Sequence, residues 1–127
     1  FSALDLAAKK VDYGREISVT VKTKTGLRTL SADAIVYCEY VRHTAIYTLT
    51  DGERVDTTTL QGRFSEHIAT LLCDKRFLHA AFAVNMSYVE RLDKEGFTLR
   101  GGAFVPVSGK QFVAVRNTYM SYRLGAV

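Results

Sequence analysis

Three histidines (His43, His67 and His79), two cysteines (Cys38 and Cys73) and an arginine–histidine pair are the residues best placed to do chemistry in this chain. Their spacing argues against catalysis. There is no H-E-x-x-H, no G-x-S-x-G and no pair of histidines at ligand spacing. A zinc site takes three or four ligands, and neither cysteine has a C-x-x-C partner. Asp51, Asp93 and Glu95 fall in turn segments, where a carboxylate bonding to nearby backbone N–H groups accounts for them. No nucleophile has a base beside it. The expectation is a non-enzyme with no metal and no cofactor. Its cysteines are expected to be reduced, buried thiols rather than a disulfide, and His67 is expected to face solvent from a helix.

Anion recognition fares better. "SGK" at 108–110 resembles the end of a phosphate loop, but G-x-x-x-x-G-K would need glycine at 104, where Phe104 stands. What remains is a helix start, with free N–H groups and the positive end of the helix dipole. Lys110 would lie in its first turn, an unfavourable place for a cation unless it meets an external anion. Arg42-His43 lies between two strand-like runs, so it would project a guanidinium and an imidazole from a hairpin end. Both groups suit phosphates or base edges, although a polar hairpin tip needs no function. In "RFLHAAFAVNMSYVERL" (76–92), His79 opens a core strand and Asn85 is expected to close it with a side-chain-to-backbone bond.

Strands and turns must position these groups. "EISVTVKT" (16–23) sets Ile17, Val19 and Val21 on one face. "AIVYCEYV" (34–41) is β-branched and aromatic, and "TAIYTLT" (44–50) alternates again. Further strands are expected near 27–30, 53–57, 79–84, 89–92, 97–100 and 103–107, between turns at 24–26, 50–52, 94–96 and 100–102. Asp51-Gly52 is the strongest candidate for a type I′ turn. A central amphipathic helix is expected over 59–73, where Leu60, Phe64, Ile68 and Leu71 recur at helical spacing and Thr58 or Thr59 would cap it. A C-terminal helix is expected to open at Ser108 with a Ser108/Gln111 capping box and to bury Phe112, Val115, Tyr119 and Tyr122. The fold class is mainly β, about ten short strands in hairpins with these two helices.

At 127 residues the chain suits one domain with a real core. Hydrophobic residues make up 47% and charged residues 24%, a globular balance. No apolar run approaches the ~20 residues of a membrane span, and two reduced thiols fit the expectation of a cytoplasmic protein. The net charge of +4 admits an anionic partner without demanding one. The chain opens at Phe1 without a signal-peptide pattern, which suggests a piece of a longer protein lacking an N-terminal region. Residues 1–14 would be a linker or connecting helix, and 15–127 the domain.

The order of the pieces carries a resemblance. "ADAIVYCEYVRHTAIYTLTDGE", then "TTTLQGRFSEHI", "RFLHAAFAVNMSYVERL" and "FTLRGGAFVPVSGKQFVAVR" resemble a LytTR-type DNA-binding domain, the output module of many bacterial response regulators. The likeness spans roughly 16–123. The family pattern runs through a "D-I-x-Y-I-E" strand, a "T-D-G" hairpin, a "T-L-x-x-L" helix, "H-R-S-x-x-V-N" and "I-P-V-S-R". The resemblance implies a mostly β fold that sets loops, rather than a recognition helix, into successive major grooves of double-stranded DNA. It implies contacts from Arg42, His43, His79, Ser108 and Lys110. It further implies binding to promoter half-sites as a dimer, held together largely by the missing N-terminal region. Within "H-R-S-x-x-V-N" only His79, Val84 and Asn85 match, since Ala80 and Ala81 replace the polar positions. Gly109 replaces the final arginine, and Lys110 follows one position later. The alternative is a protein-interaction module on the same fold that has lost base readout.

Overall fold

The structure is a computed structural model that describes residues 17–124. The linker expected over 1–14 lies outside the described residues. Ten strands form three antiparallel sheets. β1 (Ser18–Thr23) and β2 (Gly26–Ser31) make a two-stranded ribbon. β3 (Ile35–Val41), β4 (Thr44–Leu49), β5 (Arg54–Asp56), β6 (Phe77–Ala80) and β7 (Phe82–Asn85) make a central sheet in the order β5-β4-β3-β7-β6. β8 (Val89–Asp93), β9 (Gly96–Leu99) and β10 (Phe104–Pro106) make the third. Two helical turns, α1 (Phe64–His67) and α2 (Ala69–Leu72), precede β6, and α3 (Phe112–Leu124) follows β10.

The central sheet is apolar on both faces, and each face carries its own core. Because side chains alternate across a strand, Phe77 and Ala83 point to one side while Leu78 and Val84 point to the other. On the first side, Ile35, Cys38, Tyr47 and Val55 pack against Val19, Val21 and Leu30 of the ribbon and against Ile68 and Leu71. On the second, Leu78, Ala80 and Val84 pack against Val89, Phe97, Leu99 and Val105 of the third sheet and Val115 of α3. Fully burying a side chain such as Tyr47 or Phe97 contributes about 2–3 kcal/mol. The stripe expected on α3 is the one that packs: Phe112, Val115, Tyr119 and Tyr122 all join the second core. Gly96 lets β10 close on β9, since a Cβ there would collide with the Val105 carbonyl.

Four local expectations need correction. The mid-chain helix is shorter than 59–73 and is divided at Ile68, whose ψ of 8° is not helical. Thr58 and Thr59 do not cap it; Thr58 N–H instead donates to the Lys22 carbonyl. α3 starts at Phe112, after Gln111 N–H has bonded the Ser108 carbonyl. The Ser108 hydroxyl bonds Gln111 Oε1 at 3.3 Å rather than a backbone N–H, so no capping box forms. The type I′ turn falls at Arg42-His43, where both φ angles are positive (49° and 68°). At Asp51-Gly52 only Gly52 is left-handed (φ 89°), as in a three-residue hairpin loop. Finally, the expected single strand over 79–84 is part of a hairpin. β6 and β7 turn on Ala81 alone, which is left-handed (φ 75°), with Ala80 paired to Phe82 across it.

Candidate nucleic-acid interface

The register of the central sheet decides which turns share an end. β3 pairs antiparallel with both β4 and β7, with Val41 opposite Thr44 and Cys38 opposite Ala83. The β3–β4 turn at Arg42-His43 and the β6–β7 turn at Ala81 therefore project from the same end. Arg42, His43 and His79 are all exposed there.

Aromatic packing joins these groups. His43 Nδ1 shares a 2.9 Å hydrogen bond with the Tyr40 hydroxyl. The Tyr40 ring lies 5.5 Å from that of Phe64, and Phe64 in turn meets the His79 ring edge-on at 5.8 Å. Phe64 reaches this place because α1 crosses the first face of the sheet, the face to which His79 points. A row of rings, His43–Tyr40–Phe64–His79, thus connects the two turns. His79 also borders a cleft of about 140 Å³ with Leu78, Ala80, Gln111, Ala114, Val115 and Thr118. Ser108 and Lys110 are exposed beside Gln111 at the start of α3. The neighbours of His79 are aromatic and apolar on its inner side, with solvent beyond, so it is not a packed core residue.

The β3–β4 turn is braced at several points. The Thr44 hydroxyl donates to the Val41 carbonyl (2.8 Å), and Leu60 N–H donates to the His43 carbonyl (2.8 Å). Arg42 has no hydrogen bond or carboxylate partner among the described residues. Elsewhere, four arginines are paired with carboxylates. Arg28 grips Glu53 with two bonds (2.6 and 2.9 Å), and those bonds hold the Glu53 carboxyl below its usual range. Arg76 bridges Asp74 and Asp33. Burial pushes Asp74 up, but the Arg76 bonds prevail and hold it below the usual carboxylate range. Arg54 and Arg91 lie 3.6 Å from Glu39 and Asp93. Arg42, Arg63 and Lys110 are exposed and lack a salt bridge among the described residues, as do most of the other described cations.

Two further titratable groups, His67 and Cys38, meet at the buried Tyr47 hydroxyl. His67 does not face solvent: it is half-buried, and its Nε2 shares a 2.8 Å bond with the hydroxyl of the fully buried Tyr47. Burial pushes the His67 pKa down, so the neutral ring is favoured. Cys38 is buried against the same hydroxyl, and desolvation pushes its thiol up to about 12. Cys73 is exposed rather than buried, and both thiols are free. Asn85 does close β7 as expected. Its Oδ1 accepts from Ser87 N–H (3.0 Å), and its Nδ2 donates to the Ile35 carbonyl (2.9 Å), tying β7 to the start of β3. Among the described residues no cluster of His, Cys, Asp or Glu is arranged to hold a metal, and no helix is long and apolar enough to cross a membrane.

Tyr40 was not singled out from the sequence. Its signal was its place three residues before His43, itself the second residue of the turn, which brings ring and imidazole together once the type I′ geometry is recognised.

No protein-family model matches the sequence, and no curated protein matches it significantly. Among solved structures, the LytTr DNA-binding domain of a Bacillus cereus protein described as a methyl-accepting/DNA response regulator superposes with a TM-score of 0.66. The identity is 18%, and the match covers 83% of this chain and 97% of that one. The order of motifs and the arrangement of ten strands in three sheets therefore agree: this chain has the fold of a LytTR-type DNA-binding domain.

Proposed function

We propose that this domain binds double-stranded DNA in a sequence-specific way, as the output domain of a bacterial transcriptional response regulator in the cytoplasm. Two copies would occupy paired promoter half-sites. The observation that carries this is the grouping of exposed Arg42, His43 and His79 at one end of the central sheet, with Arg42 unneutralised among the described residues. The structural likeness to a domain described as DNA-binding supports it. Arg42 is the base reader, because a guanidinium can bond guanine O6 and N7 together. His79 and Lys110 are backbone contacts, with Ser108 beside them.

The test is titration of labelled duplex at several salt concentrations. Each phosphate contact contributes about 0.9 to the slope of log K against log salt, so a slope of roughly −2 to −4 is expected. A folded domain that ignores duplex at low salt would overturn the proposal. A protein-interaction module would then be favoured by the exposed apolar residues of α3, Val113, Met120 and Leu124.

A further inference from the structure

His43 is held differently from every other exposed cation or imidazole at this end of the sheet. Its carbonyl is fixed by Leu60 N–H and its side chain by Tyr40. The Tyr40 and His43 rings meet edge-on, with centroids 6.1 Å apart and planes at 85°. Tyr40 is itself steadied by the Phe64 ring on its other side. A phenol hydroxyl can donate to an imidazole nitrogen. When the phenol donates to Nδ1, the neutral ring must hold its own hydrogen on Nε2. When the ring is protonated, Nδ1–H donates back to the phenol oxygen and Nε2 still carries a hydrogen. With the phenol donating to the neutral ring, and equally in the protonated ring, Nε2 is a donor in a fixed direction.

We propose that Tyr40 is a positioning residue that presents His43 Nε2–H to a hydrogen-bond acceptor on a base edge, which makes the pair a determinant of specificity; this rests on the DNA-binding function proposed above. The acceptors available in the major groove are guanine O6 and N7, adenine N7 and thymine O4, whereas the cytosine amino group is a donor and is refused. Without the phenol, the imidazole can rotate and exchange tautomers, and it then offers an acceptor as well as a donor in the required direction. Sequence discrimination is lost while general attraction to DNA remains.

The experiment pairs Tyr40→Phe with His43→Ala in a double-mutant cycle. The probes are the tightest duplex the domain selects from a randomised pool and a duplex of the same bases shuffled. Phenylalanine keeps the packing on Phe64 and removes only the hydroxyl, at a site that is 42% exposed, so thermal unfolding should be unchanged. Tyr40→Phe should weaken the selected duplex about fivefold, the scale of one hydrogen bond, and leave the shuffled one unaffected. In a His43→Ala background it should do nothing further. The nitrogen resonances of the His43 ring give a readout that needs no DNA: the Nδ1 signal should move when the hydroxyl is removed. An equal loss on both duplexes, the same loss with and without His43, or an unmoved Nδ1 signal would each overturn the inference. If the parent domain binds neither duplex, the DNA-binding function itself falls and this inference falls with it. Binding that survives without Tyr40–His43 coupling removes only the positioning role.

Discussion

Two turns end the central sheet on the same side, and they are built in opposite ways. The β3–β4 turn holds two polar side chains in the left-handed region, Arg42 and His43, and is braced by Thr44, Leu60 and Tyr40. The β6–β7 turn closes on one residue, Ala81, also left-handed, with a side chain that offers no polar group. A left-handed residue other than glycine costs about 1–2 kcal/mol. Glycine would relieve that strain in either place. At Arg42-His43 the strain holds groups that can recognise a ligand, and at Ala81 it holds a methyl group. Backbone strain alone therefore does not mark a reader. What separates the turns is the bracing of the first, where Thr44 and Leu60 hold the backbone and Tyr40 holds the His43 side chain.

The comparison depends on the two hairpins staying in register, and Asn85 secures that register from the opposite end. Replacing it with alanine leaves the buried Ile35 carbonyl without the amide and removes the bonds that close β7. Asn85→Ala should lower stability by about 2–3 kcal/mol, the penalty of an unmade buried bond, and should lower the unfolding midpoint by roughly 10 °C. A calorimetric midpoint within a degree or two of the parent would show that the two hairpins are held together by packing alone.

The next effect separates the turns directly. Arg42→Ala should flatten the preference for a selected duplex over a random one by about 1–3 kcal/mol while leaving unfolding nearly unchanged. Ala81→Gly should do the reverse, raising stability by about 1 kcal/mol with little change in discrimination. Competition binding and denaturant unfolding on both variants measure all four quantities. If Arg42→Ala weakened both duplexes alike, Arg42 would be a phosphate clamp, and specificity would have to come from DNA shape.

The smallest effect is one of pH, and it concerns the support behind the braced turn. His67 neighbours the helical residues that hold Phe64, and burial lowers its pKa from the ordinary 6.5. A histidine depressed in the folded state is protonated first in the unfolded chain, so it adds no pH dependence above about 6.5 and destabilises the fold as pH falls below that value. Unfolding followed from pH 7.5 to 5 should show a decline that is shallower in His67→Gln. Equal declines would place the acid sensitivity elsewhere.

How much of this was legible in the sequence differs between these same regions. Alternation revealed β1 and β4, β-branched and aromatic composition revealed β3, and the S-G-K-Q-F segment announced a helix whose apolar stripe was read correctly. The split of 76–85 into two strands was hidden, since alanine carries no turn signal and only tertiary pairing forces Ala81 to positive φ. Asp51-Gly52 drew attention as the preferred I′ pair, yet the sheet forms that turn at Arg42-His43. There the bonds from Leu60, Thr44 and Tyr40 outweigh local preference. Arg42, His43 and His79 could be named from the sequence as chemistry looking for a place. Their meeting at one end of the sheet could not, because it follows from the pairing of β3 with β7, two strands separated by more than forty residues.

The unequal burial of Cys38 and Cys73 makes the chain its own reporter. A thiol reagent added to the native domain meets one sulfur, at the end of α2, whereas the other is shut inside the first core beside Tyr47 and is nearly all undissociated. Modification should therefore stop at one equivalent while the domain is folded and proceed to two when it opens. A fluorophore can be attached at residue 73 without engineering the sequence, and the slow second equivalent becomes a clock for unfolding.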